Sequence, residues 1–176
     1  MENRKKKYLI VIDMQKDFVN GSLGSADAEA VVPRIDRKIA EGGYDGIFFT
    51  FDTHFADYSG TLEGKKLPVP HCVKGTDGWN TALGFGGFNR DNMVEKYTFG
   101  YTDWAKKLPG KEEIESIEIV GLCTDICVVS NALILRALYP DTPITADASC
   151  CAGTTPEAHR AALTVMKSCQ IDVINE

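Results

Sequence analysis

Ile117-Glu-Ile-Val-Gly-Leu-Cys-Thr-Asp-Ile-Cys127, followed by Val128-Val-Ser-Asn-Ala-Leu-Ile-Leu-Arg-Ala-Leu138, decides the architecture. Ile117 to Gly121 has the apolar, β-branched character of a short buried strand. Val128 to Leu138 is apolar on nearly every side, which predicts a buried helix. Thr124 and Asp125 lie between the two, where N-cap residues belong. Cys127 is therefore expected on the first turn of a buried helix, just past the carboxyl end of a strand. Unpaired N–H groups and the helix dipole favour negative charge there, and such a position lowers a thiol pKa. The stretch offers either a nucleophilic cysteine or a buried structural one, the commonest fate of a free thiol.

Outward from this unit the same alternation repeats. Tyr8-Leu-Ile-Val-Ile12 reads as a central parallel strand ending at Asp13, and Gly46-Ile-Phe-Phe-Thr-Phe51 as another ending in Asp52-Thr-His54. Met93 to Lys96, Pro143 to Asp147 and Ile171 to Ile174 complete the strands. Pro33 suits the first turn of a helix running to Glu41, with Gly42-Gly43 as its stop. Trp104 to Leu108 reads as a short helix, and Thr154-Thr-Pro156 starts a longer one to Ser168. Strands alternating with helices predict an α/β fold: a three-layer, mostly parallel sheet with helices on both faces, in a single domain spanning residues 1–176.

Composition narrows the function. The 176 residues are 44% hydrophobic and 25% charged, ordinary for a soluble domain. A net charge of −6 argues against nucleic acid, which needs a basic face. No apolar run is long enough to span a membrane. The six cysteines lack a framework spacing, so they are expected as reduced thiols in a cytoplasm. The Gly- and Trp-containing segment from Gly75 to Gly87 is expected as surface loop and oligomer contact, making a homo-oligomer the expected assembly. No Gly-x-Gly-x-x-Gly or Walker pattern supports a nucleotide.

Asp13, Lys96 and Cys127 fall at or just beyond the ends of three strands, so the sheet can bring them into one crevice. Together they make a workable acyl-transfer site: a carboxylate to take the thiol proton, a lysine to hold it, and a thiol to attack a carbonyl. Asp52 and His54, two apart on an extended chain, face the same way and can share one metal ion. A long loop follows, containing Asp57, Glu63 and Pro68-Val-Pro-His71. Ordinary surface or structural histidines are the competing reading of that segment, and His159 is read as structural or as a surface contact.

The ordered set Val11-Ile-Asp-Met-Gln-Lys-Asp-Phe18, Thr50-Phe-Asp-Thr-His54, Pro68-Val-Pro-His71, Glu95-Lys96 and Gly121-Leu-Cys-Thr-Asp-Ile-Cys127 resembles the isochorismatase-like cysteine hydrolases and, within them, the nicotinamidases. The resemblance covers nearly the whole chain. It implies a catalytic triad of Asp13, Lys96 and Cys127, and an oxyanion hole from the backbone N–H groups of Cys123 and Cys127. It also implies a cis peptide between Leu122 and Cys123, and a ring-packing role for Phe18. A divalent metal, zinc first, with iron or manganese admissible, is implied at Asp52, His54 and His71. Many nicotinamidases carry a further histidine between the outer ligands; this chain has none, and Glu63 matches the glutamate variant. Asp57, the other acidic residue there, is too close to His54 and too short. The expected activity is metal-dependent hydrolysis of a small amide, nicotinamide to nicotinate and ammonia, through a thioester. Tyr101 and Trp104 are weaker candidates for the pocket wall. The rivals are hydrolysis of a carbamoyl or ureido amide, a non-catalytic binding protein, and a dithiol redox protein whose Cys-x-x-x-Cys spacing fits poorly.

Overall fold

The computed structural model describes residues 4–176; residues 1–3 of the expected domain lie outside the described residues. Six strands form one sheet: β1 (Lys6–Ile12), β2 (Gly46–Asp52), β3 (Met93–Lys96), β4 (Ile114–Leu122), β5 (Ile144–Ala152) and β6 (Asp172–Ile174). Their order is β3-β2-β1-β4-β5-β6 and every pairing is parallel. This is the α/β architecture the alternation predicts. Strand order reverses between β1 and β4, and open sheets bind ligands outside the carboxyl ends at such a point.

Alternation along β1 sends Leu9 and Val11 to one face and Ile10 and Ile12 to the other. The first face is covered by α1 (Lys16–Val19) and α2 (Ala26–Glu41), the latter burying Ala28, Val31, Ile35 and Ile39. A third helix, α3 (Leu62–Lys66), lies in the loop after β2. The second face is covered by α4 (Val129–Leu138) and α5 (Pro156–Ser168) through residues such as Leu135, Leu163 and Met166. Among the described residues no helix is long and apolar enough to cross a membrane, and all six cysteines are free.

Several local expectations are corrected. Pro33 does not open a helix; it sits inside α2, which is N-capped by Ser25, whose side chain accepts from Ala28 N–H. Pro33 is exposed, and the buried stripe on the opposite face outweighs the helix bond it deletes. Trp104 to Leu108 is reduced to a 3₁₀ turn, Trp104–Lys106. The 75–87 segment is a surface loop, exposed at Gly75, Thr76, Asp77, Asn80, Gly84, Gly86 and Gly87, but it is anchored inward by two side chains. Trp79 packs on Phe51 and donates to Thr53 Oγ1 at 2.9 Å, and Leu83 is buried in the α2-side core.

Gly121 shows how tightly the central strands meet. It has φ +122°, and a Cβ there would stand 2.1 Å from the Ile12 carbonyl oxygen. Only glycine permits both the conformation and the approach. β1 and β4 therefore deliver Asp13 and the Cys127 turn side by side.

Candidate active site

The segment after β4 is not the capped helix its sequence predicts. Thr124–Val128 forms a single π turn, with Val129 N–H reaching the Thr124 carbonyl, and α4 begins only at Val129. Cys123 occupies the N-cap without a side-chain cap bond. Thr124 instead pairs with His159 Nδ1 at 2.8 Å, and Asp125 accepts from the Thr154 N–H and hydroxyl. The turn is thus fastened to α5 and its preceding loop, and His159 has the structural part expected of it. π turns recur at functional sites because they re-aim one side chain. Here that side chain is Cys127, buried in the crevice.

Lys96 ends β3 and draws the neighbouring strand ends together. Its Nζ lies 2.6 Å from Asp13 Oδ2, 3.3 Å from Asp52 Oδ1 and 3.5 Å from Cys127 Sγ. Asp13 leaves β1 in the left-handed region (φ 46°), which aspartate tolerates better than most residues. Thr50 donates to its Oδ1 at 2.6 Å and accepts from its N–H at 3.1 Å. Burial raises the Asp13 pKa, and the Asp52 charge adds to this against the pull of Lys96. Lys96 itself is held protonated: burial would lower its pKa, but Asp13, Cys127 and Asp52 outweigh it.

The thiol departs from expectation. Burial, then the Asp13 carboxylate, pushes Cys127 well above the ordinary thiol range, and Lys96 only partly counters them. Desolvation of the anion disfavours a resting thiolate here, and the neighbouring Lys96 charge does not offset it. The arrangement instead pairs a neutral thiol with a carboxylate made more basic by burial. The Leu122–Cys123 bond is cis, as the resemblance implies. The N–H groups of Ile126 and Val128 both go to the Cys123 carbonyl, at 3.1 Å.

A second cluster adjoins the first through Asp52. Asp52 Oδ2 is 3.0 Å from His54 Nε2 and 3.6 Å from His71 Nε2, and Glu63 Oε1 is 3.5 and 3.6 Å from the same two nitrogens. The four side chains come together because the chain returns alongside β2. His54 N–H bonds the Cys72 carbonyl, and Lys74 N–H bonds the His54 carbonyl. Glu63 is set by α3, which packs so closely on the preceding turn that a Cβ at Gly64 would lie 2.1 Å from the Tyr58 carbonyl oxygen. Asp57 is exposed at a 3₁₀ N-cap and outside the cluster, as is the buried Cys72.

These residues fit a divalent ion. Donors about 2.0–2.1 Å from zinc in a tetrahedral shell stand about 3.3 Å apart, close to the spacings observed. Nδ1 of His71 faces the Val69 carbonyl at 2.8 Å, leaving Nε2 for the centre. Burial would lower the His71 pKa, yet Asp52 and Glu63 push it up to about 9. Asp52 is held well below the carboxylate range by His54, His71 and Lys96, although burial opposes this. A buried and a half-buried carboxylate drawing protons onto an imidazole describe a cluster that favours a cation.

Both clusters open into one cavity of about 760 Å³, whose lining includes Phe18, Asp52, Glu63, His71, Cys123 and Cys127. The Phe18 ring stands 5.3 Å from the His71 ring. Tyr101 and Trp104 are not on its wall. Trp104 is fully buried in the α4-side core and donates to Asn131 Oδ1, with Tyr101 edge-on to it.

Four supporting residues were not singled out by sequence. Thr50 holds Asp13. The Gln15 amide brackets the Asp52 backbone, accepting from its N–H and donating to its carbonyl. Asp17 accepts from Cys72 N–H and so positions the His71 loop. Asn131 donates to the Cys127 carbonyl and accepts from Tyr101 N–H. Gln15 and Asp17 lie inside the run after β1; the signal was polar residues beside a strand end. Asn131 is the lone amide in a mostly apolar helix.

The sequence pattern of the isochorismatase domain matches residues 7–176. A nicotinamidase of Schizosaccharomyces pombe is 30% identical, over 96% of this chain and 92% of its own length. A nicotinamidase/pyrazinamidase of Mycobacterium tuberculosis is 26% identical, over 94% and 97%. The crystal structure of Pyrococcus horikoshii pyrazinamidase in complex with zinc superposes with a TM-score of 0.78 at 26% identity, covering 97% of this chain and 99% of that one.

Proposed function

The chain belongs to the isochorismatase family, and from that premise we propose that residues 1–176 form one metal-dependent cysteine amidohydrolase converting nicotinamide to nicotinate and ammonia. One observation carries the reading: Asp52 joins the two clusters, with Oδ1 at 3.3 Å from Lys96 and Oδ2 at 3.0 Å from His54. A pyridine carboxamide needs two such anchors at short range, one for its ring nitrogen and one for its carbonyl carbon. Asp52, His54, Glu63 and His71 would hold a divalent ion, zinc first, which would supply a Lewis-acidic position for the ring nitrogen. Phe18 packs against the ring.

The covalent work falls to Asp13, Lys96 and Cys127. Asp13 takes the thiol proton as Cys127 Sγ attacks the carboxamide carbon, and the N–H groups of Cys123 and Cys127 receive the oxyanion. Collapse breaks the C–N bond, the Asp13 proton leaves with the amine as ammonia, and a thioester remains on Cys127. Asp13 then takes a proton from water, whose oxygen attacks the thioester, and the proton returns to the departing sulfur. Lys96 keeps the buried carboxylate compatible with both protonation states. We place the enzyme in NAD salvage in a cytoplasm, as a homo-oligomer; six unpaired thiols fit a reducing compartment.

Ammonia release from nicotinamide, pyrazinamide and benzamide tests the reading. The first two should be turned over, and benzamide, which lacks a ring nitrogen, should be slower by at least about a hundredfold. Equal turnover of benzamide, or none of nicotinamide, overturns it.

A further inference from the structure

Nicotinamide has nine non-hydrogen atoms. At less than the ~30 Å³ share of a liquid water apiece, they fill under about 270 Å³. The cavity holds about 760 Å³, a volume of the kind that encloses ligands several times larger. The unused space has a definite chemical character. Leu62, Tyr97 and Phe99 line the cavity yet are 71%, 59% and 45% exposed, whereas Asp52, His71 and Cys127 on the same wall are buried. The three apolar side chains therefore form an apolar part of its outer rim, which exposed Ser25, Lys66 and Thr154 share. Phe55 extends the patch by stacking on Tyr97, with ring centroids 5.9 Å apart. Singly exposed apolar residues need no explanation, but a cluster around one opening marks a binding surface.

The ring geometry gives the patch its direction. In a pyridine-3-carboxamide the two anchored positions, the ring nitrogen and carbon 3, flank carbon 2. Carbon 5 is the atom opposite carbon 2, so it points away from both anchors. We propose that this site takes pyridine carboxamides bearing an apolar substituent at carbon 5, and that Leu62, Tyr97 and Phe99 form the subsite for that substituent. The inference rests on the amidohydrolase reading and adds a substrate class to it. Leu62 and Phe99 set this preference from outside the catalytic and metal-binding groups.

The test compares kcat/KM for nicotinamide and 5-propylnicotinamide, measured as ammonia release by the metal-loaded enzyme. Three methylene-sized groups buried against an open-sided patch should favour the propyl substrate by about tenfold. In the L62S/F99S double variant the two substrates should approach parity, while kcat/KM for nicotinamide stays within about threefold of wild type. Both positions are exposed, and an unchanged thermal melt confirms the fold. Turnover of nicotinamide with no preference for, or exclusion of, the propyl substrate overturns the subsite and leaves the amidohydrolase reading intact. A preference that survives the double variant overturns the assignment to these residues. Failure on both substrates overturns the reading itself, and the subsite with it.

Discussion

At Cys127 two effects oppose one another, and burial wins over the Lys96 ammonium. The causes of the raised thiol pKa are, in order, desolvation and the Asp13 carboxylate, with Lys96 acting the other way. This permits a prediction in which chemistry and titration separate. Asp13→Asn removes a negative neighbour, so the Cys127 thiolate should appear at lower pH than in wild type, seen as faster alkylation at a given pH. Turnover should nevertheless fall by at least about a thousandfold, because an amide cannot accept the thiol proton. Lys96→Met should move the thiol the other way, since the ammonium favours the thiolate. Unchanged alkylation in Asp13→Asn would show that the carboxylate does not act on the sulfur.

α2 is held to the sheet by more than its apolar stripe. Lys38 bridges Glu118 Oε1 on β4 at 2.6 Å and Asp147 Oδ2 on β5 at 2.8 Å, and Tyr44 donates to Glu118 Oε2 at 2.7 Å. Burial alone would raise the Asp147 pKa, but Lys38 and Ser149 outweigh it and hold it below the ordinary range. A carboxylate lowered on folding contributes stability above its unfolded pKa, near 3.9, and loses it as pH falls through the folded value. Lys38→Met leaves two mostly buried carboxylates without their cation and should cost about 3 kcal/mol at pH 6 by urea denaturation. Between pH 6 and pH 2 the variant should lose less stability than wild type, because the contribution that acid removes is already gone. Parallel curves would mean that the pair is not what holds Asp147 down.

Across the whole molecule, the four cation donors come from the end of β2, the residues just after it, α3 and the returning loop. An ion bound there would tie residues 52–71 to the sheet, and binding at a thousandfold above Kd stabilises by about 4 kcal/mol. Chelation should therefore lower the melting temperature by on the order of ten degrees. Glu63→Gln should retain less metal after dialysis against a mild chelator, and Asp57→Asn should match wild type. Full metal content in Glu63→Gln would remove Glu63 from the ligand set.

The sequence by itself determined the sheet and which residues stand at its edge. Apolar runs such as Tyr8 to Ile12 and Ile117 to Gly121 can be buried on both faces only in a helix-covered parallel sheet, and Asp13, Asp52 and Lys96 end or follow their strands. Tertiary structure alone decided how the site is tuned. The π turn, the burial that reverses the thiol shift, and the place of Pro33 inside α2 all arise from packing between segments far apart in the chain. Local propensity carries no record of a neighbour such as His159, Asp13 or the core beneath α2. The partners Thr50, Gln15 and Asp17 were invisible for the same reason: a polar side chain beside a strand end shows its purpose only when the atom it bonds, tens of residues away, is in place.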